Sequence, residues 1–225
     1  ARSSPREPDG YLMSTDVLVV GIGGQGVMTA AEAIARAALE AGYEATKTEV
    51  TGMSQRGGVV CSQVRFGERI EASEIRPGTA RLLIAFEAAE GLRWSHYLAP
   101  EGCALLDPWR AVPPIVSSGV HQYPGDPAGE LRAAGRQVHE IDARGTAERI
   151  GDARLANSVM LGAAASSLPF PEHALRNQVL RRFGSGAIAA QNAAAFDAGR
   201  ALFPSQAGAA IEGNPASAIA SSASS

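Results

Sequence analysis

Asp16-Val17-Leu18-Val19-Val20-Gly21-Ile22-Gly23-Gly24-Gln25-Gly26 reads as a strand that runs straight into a turn. The apolar run up to Gly21 shows no polar alternation, which is the pattern of a strand covered on both faces, and it stops at glycines. Beyond the turn, Val27, Ala31, Ile34, Ala38 and Ala41 recur at helical spacing, with Glu32, Arg36 and Glu40 off that stripe. Gly42 stands where a helix-terminating C′ residue is expected. Strand, glycine loop and helix in that order open an α/β fold.

Working outward, residues 43–50 read as a second strand and residues 51–58 as a loop rich in glycine and polar groups. Residues 59–66 alternate, and Gly67 allows a turn into residues 69–72, a β-hairpin that would make the sheet mixed. Residues 82–86 read as a buried strand, residues 87–98 as a helix, and residues 103–107 as a strand stopped by Pro108. From Pro108 to Pro127 prolines and glycines break every period. A helix at 126–134, a strand at 137–142 and a short helix at 143–150 follow, and then helices at 153–168, 172–183 and 187–203.

The fold class expected is therefore α/β: a three-layer Rossmann-like domain with a mixed, mostly parallel sheet, a β-hairpin after the second strand and a helical C-terminal part. The domain spans residues 16–203. Residues 1–15 read as a flexible N-terminal segment, and residues 204–225 as an Ala/Ser-rich flexible tail with too few large apolar side chains to offset its ordering entropy.

Composition narrows the function. At 225 residues the chain can bury one principal core, and 45% hydrophobic with 19% charged residues is globular usage. A formal net charge of -3 offers no field for a polyanion, so nucleic acid is not an expected partner. Glu32, Arg36, Asp197 and Arg200 interrupt the alanine-rich stretches, so no membrane span is expected, and the N-terminal segment has no apolar h-region of a secretory signal. Cys61 and Cys103 are far apart and neither sits in a CxxC, which argues against a disulfide framework, a zinc site or a cluster bound by this chain alone. A cytoplasmic location is expected. His96, His121, His139 and His173 are scattered, and Ser117-Ser118 and Ser166-Ser167 lack nucleophile-elbow glycines.

Gly21-Ile22-Gly23-Gly24-Gln25-Gly26 matches GxGxxG between a strand and a helix, where free backbone N–H groups favour an anion. A dinucleotide is one occupant, with Glu49 about 20 residues on as the ribose-binding acid; another phosphate-bearing ligand is a second. Close packing of strand on helix, with no ligand, explains the glycines equally. After the second strand, Ser54, Gln55 and Arg56 precede Gly57 and Gly58, at the carboxyl edge of the sheet beside the first loop. Arg56 among glycines suits a phosphate or carboxylate, because guanidinium is a flat fork of donors; an ion pair across a subunit contact is the competing role. Asn157, an amide inside an alanine-rich helix, must find partners if buried, by bracing a loop or meeting another chain. Trp94 and Trp109 are either packing residues or interface anchors.

Taken together, Gly21–Val27, Glu49–Val60 with its Met53-Ser54-Gln55-Arg56-Gly57-Gly58 core, and Val64-Arg65-Phe66-Gly67 resemble the gamma subunit of 2-oxoacid:ferredoxin oxidoreductases. Within that family the chain is most similar to the small beta subunit of the indolepyruvate enzymes. The likeness runs from about Asp16 to Phe203, and Thr51 stands where the family often has histidine.

The resemblance implies a coenzyme A-dependent complex that oxidatively decarboxylates an aryl 2-oxoacid to its acyl-coenzyme A. Thiamine diphosphate and iron–sulfur clusters would lie on a larger partner subunit, with ferredoxin the electron acceptor. This chain would carry no catalytic residue and no metal ligand. Gly21, Gly23, Gly24, Gln25 and Gly26, with Ser54, Gln55, Arg56, Gly57 and Gly58, would face the coenzyme. Three alternatives stand beside it: a free-standing NAD(P)- or flavin-binding Rossmann oxidoreductase, a gamma subunit for another 2-oxoacid such as phenylglyoxylate or pyruvate, and a non-catalytic scaffold.

Overall fold

A computed structural model describes residues 14–51, 58–111 and 123–203. Its strands are β1 (Ser14–Ile22), β2 (Glu44–Thr51), β3 (Val59–Gly67), β4 (Ala80–Ala85), β5 (Leu98–Leu106) and β6 (Gln137–Glu140). Its helices are α1 (Val27–Glu40), α2 (Ala88–Trp94), α3 (Pro127–Ala133), α4 (Ala143–Ile150), α5 (Ala156–Ala164), α6 (Glu172–Arg181) and α7 (Ala187–Leu202). The expected segments 1–15 and 204–225 lie outside the described residues, except that Ser14 and Thr15 already belong to β1.

The strands form one sheet in the order β2-β3-β1-β4-β5-β6. β3 is antiparallel to both β1 and β2, whereas β1, β4, β5 and β6 pair in parallel, so the sheet is mixed and mostly parallel as expected. The hairpin differs from expectation in its partner. Residues 69–72 form no strand; β3 pairs back onto β2 instead. The reason is visible in the side chains of β3. Arg65 donates to the carbonyls of Ala72 and Glu74, and Gln63 accepts from the Ile75 amide at 2.6 Å, so side chains satisfy backbone groups a strand would have paired. Arg65 also meets Asp16 at 2.8 Å, and Asp16 accepts from Thr79, which latches residues 68–79 across the sheet.

Alternation along the strands divides the core. Val17, Val19, Leu82, Ile84 and Leu105 pack with α1 and the C-terminal helices, while Leu18, Val20, Leu83, Ala104 and Leu106 face the α2 and α3 side. α1 ends in a Schellman motif: Gly42 has φ 89°, its amide donates to Leu39 O, and the Tyr43 amide donates to Ala38 O. α5 and α7 cross at Gly162 and Gly199, where a Cβ would overlap the carbonyl oxygens of Phe196 and Val159 respectively. Among the described residues no helix is long and apolar enough to cross a membrane.

Candidate functional site

The site grows out of the sheet's topology. From β1 the chain passes through α1 on one face toward β2 and β3, and from β4 it passes through α2 on the other face toward β5. The crevice beyond the carboxyl ends of β1 and β4 is therefore a switch point, where open α/β sheets hold their ligands. A cavity of about 380 Å³ opens there, lined by Gly24–Gly26 after β1, Phe86 after β4 and Asp107 after β5. Asn157 and Ser158 of α5 close its far side.

The glycine loop is held by its own side chains. Gln25 accepts from the Ile22 amide at 2.6 Å and donates to Phe86 O at 2.7 Å, tying the end of β1 to the end of β4. Its amide thus serves as a brace in the cavity wall, with its oxygen and its nitrogen each committed to one backbone group. A Cβ at Gly21 would come within 2.6 Å of that Gln25 oxygen and 3.1 Å of Phe86 Cβ, so the first glycine is there for close packing. Gly26 caps α1 in the left-handed region (φ 80°), and its carbonyl accepts both the first helical bond, from Ala30, and a bond from Asn157 Nδ2 at 2.9 Å. Asn157 also reaches Gln25 O at 3.3 Å. The half-buried amide braces the loop, one of the two roles its sequence context offered.

No side chain caps the N-terminus of α1 and its first turn carries no acid, so its amide end is presented to the cavity. That end attracts an anion through aligned peptide dipoles and unpaired N–H groups. Arg144, Arg154 and Arg182 stand at the cavity's edge. Arg154 is paired with Asp152 and Arg144 with Glu148, while Arg182 has no ion pair among the described residues.

The described ends of the second loop lie at the same rim. Thr51, the last residue of β2, pairs with Val60; Ile22 pairs with Val59; and the Gly23 amide donates to Gly58 O at 2.9 Å. Of the loop residues singled out in the sequence, Gly58 is thereby set against the glycine loop, and Ser54, Gln55, Arg56 and Gly57 lie outside the described residues. Glu49 loses the place a dinucleotide fold would give it. β3 is inserted between β1 and β2, so Glu49 is two strands from the glycine loop, and it is paired with Lys47 at 2.7 Å.

Sequence reasoning missed the far wall. Asp107 is buried at the end of β5 and accepts from the amides of Trp109 and Arg144. Burial pushes its carboxyl up to about 6, against the lowering effect of those two amides. The available signal was an acid closing an apolar run at a strand's carboxyl end. Glu87 does the same after β4, accepting from the amides of Glu90 and Ala111 and from the Tyr123 hydroxyl. Among the described residues no three His, Cys, Asp or Glu side chains are gathered as a metal site would need.

A family model described as pyruvate ferredoxin/flavodoxin oxidoreductase matches residues 16–202, and the chain belongs to that family. It is 38% identical over 162 residues to the indolepyruvate oxidoreductase subunit IorB of Archaeoglobus fulgidus, covering 70% of this chain and 80% of that one. The protein of the same name from Pyrococcus horikoshii is 35% identical over 196 residues, 82% of this chain and 93% of its own. In fold the chain is similar to the keto/oxoacid ferredoxin oxidoreductase gamma subunit of Geobacter sulfurreducens (TM-score 0.62, 24% identity, 84% of this chain and 97% of that one). It is similar too to 2-oxoglutarate:ferredoxin oxidoreductase of Magnetococcus marinus, solved with 2-oxoglutarate, coenzyme A and succinyl-CoA bound (TM-score 0.68, 23% identity, 85% of this chain and 31% of that one).

Proposed function

We propose that this chain is the small subunit of an indolepyruvate, or related aryl 2-oxoacid, ferredoxin oxidoreductase, and that its two rim loops help enclose coenzyme A. The observation that carries the reading is the placement of an uncapped helix N-terminus in a switch-point cavity beside the anchors of the second glycine-rich loop. These groups fit a diphosphate: backbone donors at α1, a guanidinium free of ion pairs among the described residues at Arg182, and no acid in the first turn. Thiamine diphosphate and iron–sulfur clusters, on the larger partner, would supply decarboxylation and the passage of electrons to ferredoxin, and the coenzyme thiol would take the acyl group. This chain's part is to bind and orient. Gln25 and Asn157 hold the loop, α1 and Arg56 hold phosphate groups, and the walls at Phe86 and Asp107 keep the pocket closed behind them.

The test is Arg56→Ala in the complex reconstituted with its partner. Loss of a charge-assisted contact worth about 1.5–3 kcal/mol should raise KM for coenzyme A about 10- to 100-fold, with reduction of ferredoxin otherwise unchanged. An unaltered KM removes Arg56 from the site. Titration of the chain with NADH should show no binding, in keeping with the position of Glu49; tight binding abolished by Glu49→Ala would instead favour a dinucleotide enzyme.

A further inference from the structure

Trp109 is half-buried, yet unlike Trp94 it packs against neither apolar cluster. Its indole lines the switch-point cavity, and the Arg144 guanidinium sits 4.9 Å from the ring centroid. The backbone carrying it is pinned on both sides. Its amide donates to Asp107 Oδ1 at 3.0 Å, and its carbonyl accepts from the Ala88 amide at 3.2 Å. The other Asp107 oxygen accepts from the Arg144 amide at 3.1 Å, so one buried carboxylate sets both halves of the pair. An indole without core contacts among the described residues, stacked with a guanidinium and facing a cavity, is a ready surface for another flat ring.

We propose that Trp109 and Arg144 form the platform on which the adenine ring of coenzyme A stacks, with Asp107 as the positioning residue that presents it. The inference rests on the reading of this cavity as a coenzyme site. An anion-favouring helix end and a flat π surface line the same cavity, which is the pairing of features that an adenosine diphosphate group needs. An aryl 2-oxoacid also combines an anion with a ring. Adenine is the better occupant, because the oxoacid must meet the thiamine of the partner chain, whereas the adenosine end of the coenzyme is a remote handle.

The experiment uses the reconstituted complex and compares wild type with Trp109→Ala, Trp109→Phe and Arg144→Met. Trp109→Ala should raise KM for coenzyme A about tenfold to a hundredfold, the range for loss of one base–aromatic stack. It should leave kcat and the KM for the 2-oxoacid unchanged, and Trp109→Phe should restore most of the affinity. By calorimetry, 3′,5′-ADP should bind Trp109→Ala more weakly than wild type, whereas 4′-phosphopantetheine, which lacks the adenosine, should bind both equally. If Trp109→Ala does not assemble, Arg144→Met decides, with a several-fold weaker affinity for 3′,5′-ADP expected and an unchanged one overturning the platform. Coenzyme A affinity that stays within twofold in Trp109→Ala, while remaining sensitive to Arg56→Ala, overturns the platform and leaves the loop reading standing. A rise confined to the 2-oxoacid KM gives the platform to the aryl ring. Failure of the wild-type complex to bind coenzyme A overturns both readings.

Discussion

Gly26→Ala should be one of the most damaging single-methyl changes in the glycine loop, and its cost should depend on Asn157. Gly26 has φ 80°, and a non-glycine residue there costs about 1–2 kcal/mol. The added Cβ would also lie 2.8 Å from Asn157 Nδ2. Asn157 is the end of a flexible side chain, so it can swing away at little steric cost, but in doing so it gives up its bonds to Gly26 O and Gln25 O. One is of good length and one is long, so their loss is worth about 1–2 kcal/mol together. Gly26→Ala should therefore destabilise by about 2–4 kcal/mol and Asn157→Ala by about 1–2 kcal/mol. The double variant should be no worse than Gly26→Ala alone, because that change has already displaced Asn157. Equilibrium urea unfolding of the chain and its three variants closes the cycle, with a coupling of at least about 1 kcal/mol expected. Additivity within about 0.5 kcal/mol would show that Asn157 is not displaced and refute the reasoning.

Other consequences are equally concrete. The carboxyl of Asp107 is raised by burial from 3.8 to about 6, so the folded state binds a proton more tightly than the unfolded chain. Its ionisation therefore costs stability that is regained on acidification. The cost is fully present above about pH 6 and vanishes as pH falls toward 3.8, a swing of about 3 kcal/mol. Subtracting the pH profile of Asp107→Asn should isolate that swing, and identical slopes for the two proteins would refute it. Gly199→Ala should separate α5 from α7, because the new Cβ meets a backbone oxygen that cannot rotate aside. A loss of about 3 kcal/mol or more and a fall in Tm of about 6–12 °C are expected by calorimetry, and an unshifted Tm would mean that the helices cross differently.

What could be read along the chain was local. The apolar run at 16–21, the helical stripe from Val27, and Gly42 as its terminator each reported a single element, because burial period and left-handed glycine act within a few residues. That a second glycine-rich loop follows the first was legible in the sequence, and the structure sets its last residue, Gly58, against Gly23; Asn157 stood out because an amide inside an alanine-rich helix must find partners once it leaves water. Residues 69–72 form no strand because the Glu44 side chain takes the Ile70 amide and Arg65 takes the Ala72 carbonyl, and nothing in their own sequence says so.

By itself, then, the sequence determined the elements, their α/β order and the family to which they belong. Only the tertiary structure decided which strands are neighbours. The insertion of antiparallel β3 between β1 and β2 carried Glu49 away from the glycine loop and brought Gly58 against Gly23. The switch-point cavity set Asp107, Trp109 and Arg144 opposite α1, although they are 81 to 118 residues beyond Gly26 in the chain. Strand order and the far wall of a pocket depend on which distant surfaces bury each other most completely, and no window of a dozen residues contains that comparison.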